Sequence, residues 1–266
     1  MRLGLSSFIY RYATSADPRN ALVMDHTTLL RRALALELDL VQFADNMPLH
    51  LLGDEALADL GALSRQLGVA IEVGTKGMDR DLLSRYVSIA THLGSRALRL
   101  VLDVPQPSEA QAGLRWLLPQ LERAALPLAI ENHGEFPAAA LAEIVRQLGH
   151  PLLGFCADTA NNLLLLEPPL QTLTQLAPRA LQLHLKDYAV ERAPVGYRIT
   201  GRQLGEGQLD MAAALACIQP VKRNLDVMLE AWMDPAGDWA ETLLREEKWI
   251  ASAVTRARRL LAAPTA

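Results

Sequence analysis

The chain has 266 residues, half of them hydrophobic but only 5% aromatic, so Leu and Ala carry the apolar load of a core large enough for one α/β barrel. A net charge of −4, with no run rich in Lys or Arg, argues against a nucleic-acid-binding face. No apolar stretch approaches the ~20 residues of a membrane span, Met1–Ser6 lacks the apolar core of a signal peptide, and two cysteines, Cys156 and Cys217, suit reduced thiols in a cytoplasmic protein better than a disulfide framework.

Short apolar runs alternate with helical stretches, the pattern of a parallel sheet with crossover helices. Strand one is expected over Leu3–Ser6, followed by a long aromatic loop with Phe8, Tyr10 and Tyr12, and helix one over Thr27–Leu36. Strand two is Leu40–Ala44, and helix two Glu55–Leu67 is stopped by Gly68. Strand three is Ala70–Val73, and helix three carries the stripe Leu82, Leu83, Tyr86, Val87, Ala90 before Gly94. Then come strand four (Ala97–Leu102), helix four (Glu109–Ala124), strand five (Leu128–Glu131), helix five (Pro137–Leu148), strand six (Leu153–Ala157) and helix six (Pro169–Leu176). Strand seven (Leu181–Leu185), helix seven (Met211–Cys217), strand eight (Val227–Ala231) and helix eight (Trp239–Leu261) complete the series. Eight βα units without a boundary predict a (β/α)₈ TIM barrel forming a single domain over residues 1–266. The stretch Tyr188–Leu209 is too long for a plain connection. Its four glycines, two tyrosines and Arg192, Arg198 and Arg202 read as a substrate-binding loop or lid on the face where barrel active sites lie.

Four apolar runs end in a residue able to ligate a metal: Glu131, Asp158, His184 and Glu230. The steps are 158 − 131 = 27, 184 − 158 = 26 and 230 − 184 = 46. A barrel of ~250 residues allots roughly 31 to each βα unit, so two steps are one unit each and the third is a unit plus the long loop. Each residue also has a plainer reading. A carboxylate at a strand end is often the first solvated residue of a loop, as Asp45 and Asp103 could be. A histidine in an apolar strand is more often a hydrogen-bonded core group. Glutamates in apolar runs resist dismissal, because they are seldom buried unless paired or metal-bound. The oxygen-rich set suits Mn²⁺ foremost, with Mg²⁺, Co²⁺ and Zn²⁺ also fitting. A six-coordinate ion would keep two positions for adjacent hydroxyl and carbonyl oxygens of a substrate, and a glutamate beside them could move a carbon-bound proton. Phe8, Tyr10 and Trp232 are candidates for the pocket wall, Glu72 and Arg99 for an ion pair inside the barrel, and Gly205-Glu206-Gly207 for a tight turn.

The segments Ile130-Glu131-Asn132-His133-Gly134, Ala157-Asp158-Thr159-Ala160-Asn161-Asn162, Leu183-His184-Leu185-Lys186-Asp187 and Leu204-Gly205-Glu206-Gly207 resemble the xylose isomerase-like barrel superfamily, in its sugar phosphate isomerase/epimerase branch. The resemblance spans essentially the whole chain. It implies one divalent metal on Glu131, Asp158, His184 and Glu230, with Glu131 and Glu230 exchanging protons with the substrate. Candidate substrate contacts are His133, Asn161, Lys186, Arg198, Arg202, Glu206, Tyr10 and Trp232. The chain departs from the ketose 3-epimerases of that group at three places: Asn161 stands where they carry a histidine, Pro137 where they carry a glutamate, and Val190 where they carry an arginine. Those groups hold a free ketohexose. The superfamily also contains dehydratases of inosose and of dehydroshikimate, and DNA-repair endonucleases.

The expected activity is that of a metal-dependent isomerase or epimerase acting on a small sugar or sugar-derived hydroxy-carbonyl compound through an enediolate. The alternative is a lyase or dehydratase using the same site on a keto-sugar, inosose or related compound. A repair nuclease would need further metal ligands and a basic groove, and a purely binding barrel would not need the four ligands. The expected partner is a small carbohydrate, with no nucleic acid and no membrane, and homo-oligomerisation is left open.

Overall fold

A computed structural model describes residues 1–262; residues 263–266 of the expected domain lie outside the described residues. In chain order the elements are β1 (Leu3–Ser6), α1 (His26–Ala35), β2 (Leu40–Phe43), α2 (Asp54–Leu67), β3 (Ala70–Lys76), α3 (Arg80–Leu93), β4 (Leu98–Val101), α4 (Pro107–Ala124), β5 (Leu128–Glu131), α5 (Ala138–Leu148), β6 (Leu153–Asp158), α6 (Pro169–Leu176), β7 (Ala180–Leu185), β8 (Asp187–Arg192), β9 (Tyr197–Arg202), α7 (Met211–Ile218), α8 (Pro220–Arg223), β10 (Asp226–Leu229) and α9 (Trp239–Ala262). Local chemistry sets many of the boundaries. Asp25 and Asp79 accept from the backbone N–H of Thr28 and Leu82 at the starts of α1 and α3. Gly68, Gly94 and Gly149 end α2, α3 and α5 in the left-handed conformation.

The barrel closes in the order β1-β10-β7-β6-β5-β4-β3-β2, every neighbouring pair parallel. Side chains alternate along a strand, so every second residue points into the bore. Leu40, Ala97, Ala129, Cys156 and Met228 pack together as an apolar layer. Two residues further along the same strands, or just past their ends, stand Gln42, Arg99, Glu131, Asp158 and Glu230, all buried. The apolar layer thus lifts a ring of polar groups to the C-terminal mouth, where barrel active sites form.

Two features were not anticipated. The short helix α8 precedes β10, and much of the stretch read as a loop is a hairpin, β8 paired antiparallel with β9 from Asp187↔Arg202 to Arg192↔Tyr197. The hairpin is built onto the mouth. The Asp187 carboxylate accepts from the backbone N–H of Gly205 (2.9 Å), Gly207 (2.9 Å) and Leu209 (3.1 Å), gathering the returning chain. A Cβ at Gly207 would lie 2.1 Å from Asp187 Oδ1, so only glycine fits that turn. Gly201 N–H donates to the Trp232 carbonyl at 3.1 Å, which ties β9 to the segment after β10.

Candidate metal and substrate site

Strands β5, β6, β7 and β10 bring Glu131, Asp158, His184 and Glu230 to one point. His184 Nδ1 lies 3.1 Å from Glu230 Oε1, 3.5 Å from Glu131 Oε2 and 3.8 Å from Asp158 Oδ2. Each group is held from behind. Asp158 Oδ1 accepts from the N–H of Ala160 and Asn161, both at 2.8 Å, and Asn132 brackets the Asp158 backbone through its N–H (2.7 Å) and carbonyl (3.1 Å). Asn161 Nδ2 donates to Glu131 Oε1 at 2.9 Å. His184 Nε2 meets Gln42 Oε1 at 2.7 Å.

Among the described residues, three buried atoms in this cluster have no hydrogen-bond partner, Asp158 Oδ2, His184 Nδ1 and Glu230 Oε1, though Lys186 faces Asp158 Oδ2 at 2.9 Å as an ion pair. Donor atoms of the three residues all lie within 4.8 Å of one another. Buried polar atoms are almost always satisfied, so three orphans from three strands facing one point fit a cation held between them. The residues present therefore fit a divalent metal, with Glu131 able to close the set from β5. Cys156 reaches within 4.8 Å of Glu131 and His184 donor atoms from the layer below, and burial pushes its thiol up to about 11.

Cations are interleaved with the acids. Lys186, fully buried, lies 2.7 Å from Glu230 Oε2, 2.9 Å from Asp158 Oδ2 and 3.1 Å from Asn161 Oδ1. Its Nζ also sits 4.8 Å from the centre of the Trp232 ring. Arg99 donates through Nε to Glu131 Oε2 and pairs with Asp45 at 3.1 Å. Burial alone would raise the Glu131 carboxyl, but the Arg99 guanidinium and the His184 ring outweigh it and hold the group at about 2. Glu230 is likewise buried, and Lys186 and His184 pull it well below the usual range. For Asp158 burial wins over Lys186, and its pKa is raised.

These groups open onto a cavity of about 150 Å³ lined by Phe8, Arg11, Arg99, Glu131, His133, Asn161, Lys186, Glu230, Ala231 and Trp232. Of the residues expected to touch substrate, His133, Asn161, Lys186 and Trp232 lie on this wall, and four do not. Tyr10 is buried in the core with its hydroxyl at 3.3 Å from Glu247 and from Arg32, because the 3₁₀ turn Ser7–Tyr10 offers Phe8, not Tyr10, to the mouth. Arg198 is exposed beside Glu191 and Asp234, both at 3.5 Å. Arg202 pairs with Glu191, and Glu206 with Arg256 on α9. The expected internal pair of Glu72 and Arg99 is also corrected: Glu72 pairs with Arg2, and Arg99 with Glu131 and Asp45. Arg11 and Arg99 were missed. Arg99 carried a signal, an arginine inside the apolar run of strand four, where only a buried partner would keep it.

A model of the xylose isomerase-like TIM barrel family matches residues 30–253. The chain belongs to this family. Among curated proteins it is 29% identical over 255 residues, 94% of this chain and 92% of the relative, to the 3-oxo-isoapionate decarboxylase of Pectobacterium atrosepticum. Among solved structures it resembles D-psicose 3-epimerase with D-tagatose from Clostridium cellulolyticum H10, at a TM-score of 0.75 and 13% identity over 99% of this chain and 100% of the other. It also resembles the IOLI protein with a bound zinc atom, at 0.73 and 16% over 98% of each chain. At these identities the structural likenesses carry the fold. Among the described residues no helix is long and apolar enough to cross a membrane.

Proposed function

We propose that this chain is a divalent-metal-dependent lyase that decarboxylates a small 3-oxo sugar acid. The observation that carries the reading is the pair of buried cations, Lys186 and Arg99, on the wall of the cavity beside the acid cluster. With a divalent cation offsetting the acids they now pair with, these two cations would have charge to spare for a substrate carboxylate, which a sugar acid offers and a free ketose does not. The identity to a 3-oxo acid decarboxylase over nearly the whole chain supports the same substrate class.

In this reading Glu131, Asp158, His184 and Glu230 would hold the metal, with Mn²⁺ the foremost candidate. When bound, it would supply the positive charge that stabilises a developing enediolate. Lys186 and Arg99 bind and orient the substrate carboxylate, and Phe8 and Trp232 keep water from it. The bond between the carboxyl carbon and its neighbour breaks, carbon dioxide leaves, and the electron pair passes to the adjacent carbonyl oxygen as an enediolate. One proton must then reach carbon. Lys186, its Nζ donating to Glu230 at 2.7 Å on the cavity wall, would deliver it. The two free cysteines fit a reducing, cytoplasmic setting, and we read residues 1–266 as one domain.

A second reading, an isomerase or epimerase, is favoured by one observation: Glu131 and Glu230 stand on strands separated by β6 and β7, so two carboxylates face the cavity from different sides. It needs a proton removed and another returned, whereas decarboxylation needs only one delivered. The Mn²⁺-loaded protein incubated in D₂O with a 3-oxo sugar acid and, separately, with free ketoses separates the two. Carbon dioxide with one deuterium on the product carbon is expected. Epimerised ketose and no carbon dioxide would transfer the assignment to the isomerase, and a product short by one water to a dehydratase.

A further inference from the structure

A line of side chains crosses the bore beneath the acid cluster, from Glu72 on β3 to His184 on β7, four strands away around the barrel. Gln182 Nε2 lies 3.0 Å from Glu72 Oε2, Gln42 Nε2 lies 3.2 Å from Gln182 Oε1, and Gln42 Oε1 lies 2.7 Å from His184 Nε2. All four residues are buried. We infer that this relay fixes which nitrogen of His184 carries hydrogen, making Gln42, Gln182 and Glu72 positioning residues that aim the Nδ1 lone pair at the metal. The inference rests on the metal reading above.

The direction of the relay follows from donor and acceptor counting. Each glutamine amide could be turned either way, and its orientation is settled only by its neighbours. Glu72 settles it. Its carboxylate accepts from the Arg2 guanidinium, from Arg96 N–H at 3.1 Å, from Ala97 N–H at 3.3 Å and from the Ser95 hydroxyl at 3.0 Å. The first three can only donate, Arg2 and Arg96 to Oε1 and Ala97 to Oε2, so Glu72 is held as an acceptor on both oxygens. Gln182 must then turn its NH₂ toward Glu72 and its oxygen toward Gln42. Gln42 must turn its NH₂ toward Gln182 and its oxygen toward His184. The one group that satisfies that oxygen is an Nε2–H, which leaves Nδ1 facing Glu230, Glu131 and Asp158. A metal-ligating histidine is commonly fixed through its other nitrogen by a single group. Here the fixing charge stands three hydrogen bonds away, on the far side of the barrel.

The test is the affinity of the whole protein for Zn²⁺, a diamagnetic probe, measured by chelator competition, together with the ¹⁵N spectrum of Zn²⁺-loaded, ¹⁵N-histidine-labelled protein. Gln42→Leu should weaken Zn²⁺ binding by about 10–100-fold, the usual loss when a ligand's supporting partner is removed. Gln182→Leu, whose side-chain hydrogen bonds go to Glu72 and Gln42 and not to His184 or the acids of the cluster, should weaken it in the same direction and broaden or shift the Nε2–H signal of His184. Glu72→Gln lets both amides turn and should do likewise. In the double variant Gln42→Glu with Glu72→Gln, the acceptor-only group is moved next to His184, Gln182 turns over, and the Nε2–H signal and tight binding should return. A parent that fails to bind Zn²⁺ would overturn the metal reading and this inference with it. A parent that binds, with Gln42→Leu and Gln182→Leu folded and equal to it in affinity and spectrum, would overturn the relay alone.

Discussion

The same strands bury charge at both ends of the barrel, and the two clusters are built differently. At the N-terminal floor, Glu72 and Asp226 meet Arg2 and Arg96. Asp226 accepts from Arg2 N–H (3.0 Å), Arg2 Nε (3.1 Å) and Arg96 Nη1 (3.3 Å), and no atom of these four side chains is a buried orphan. At the C-terminal mouth, Lys186 and Arg99 stand among more acids than they can satisfy, and among the described residues three buried atoms lack a hydrogen-bond partner. Strand β10 contributes to both ends: Asp226 at its start is fully satisfied, and Glu230 just past its end keeps one oxygen unpartnered. Buried unsatisfied groups are costly, so a fold keeps them where another component completes them. Satisfaction, rather than charge or burial, separates the site from the scaffold.

The largest expected effect breaks the mouth at its centre. Stripping metal with a chelator, or replacing His184→Ala, should lower turnover by roughly 10³-fold or more, the several kcal/mol a Lewis acid supplies. Mn²⁺, Co²⁺ or Mg²⁺ should restore the stripped parent but not the variant. Steady-state kinetics with metal analysis checks this, and full activity in demonstrably metal-free protein would remove the contrast.

The next effect sets the two ends of β10 against each other. Asp226→Asn breaks a satisfied buried pair and should cost about 3 kcal/mol of stability, with kcat per folded molecule unchanged. Glu230→Gln also breaks a buried pair, with Lys186, so it should cost metal-free stability to a similar extent, but it should in addition cost roughly 10²-fold in kcat. Urea melts alongside kinetics read both, and an equal kcat in the two variants would erase the distinction.

Much of this was legible in the chain. Eight apolar runs alternating with helical stretches identified the barrel, and the four candidate ligands were visible because each stands at the C-terminal end of a run. What single strands cannot reveal is how they are staggered. Arg99 is level with Gly74, not Glu72, in the β3–β4 register, and the missing side chain at Gly74 gives the guanidinium its path to Glu131 and Asp45. That stagger also puts Glu72 at the floor. The hairpin carried a signal: Tyr197, Ile199 and Gly201 alternate with Arg198, Thr200 and Arg202. Its glycines and charges masked it, and they have local reasons in the Asp187 turn and the approach to Trp232.

A third buried carboxylate tests the rule away from both clusters. Glu246 on α9 accepts from the N–H of Tyr12 (2.8 Å) and Ala13 (3.0 Å), pinning the loop that carries Phe8 and Arg11. Burial lifts its pKa to about 7 against these two bonds. The folded chain then binds a proton here more tightly than the unfolded one between the ordinary glutamate range and about pH 7. Stability should therefore fall as pH rises through that window, by at most about 3 kcal/mol, and level off above it. Glu246→Gln should flatten this part of the profile. A Tm that is level from pH 5 to 8 in the parent would show that the two backbone N–H groups satisfy Glu246 as fully as the floor satisfies its acids.

The smallest expected effect concerns the arginines of the hairpin. Arg198 and Arg202 lie on the same face of β9, and that face looks toward Glu191 and Asp234 rather than the cavity. Arg198 is 61% exposed, and exposed pairs of this kind contribute about 0–1 kcal/mol. Arg198→Ala should therefore leave kcat/KM on the true substrate within about twofold and stability within about 1 kcal/mol. Lys186→Met, twelve residues earlier in the chain (198 − 186 = 12), supplies the opposing case. It removes a buried cation from the cavity wall and leaves Glu230 and Asp158 short of their partner, so kcat/KM for an acid substrate should fall by about 10²-fold or more. If Arg198→Ala instead raised KM tenfold while Lys186→Met spared it, the hairpin would close over the substrate in a state different from this one, and the cation that recognises the substrate would belong to the hairpin rather than to β7.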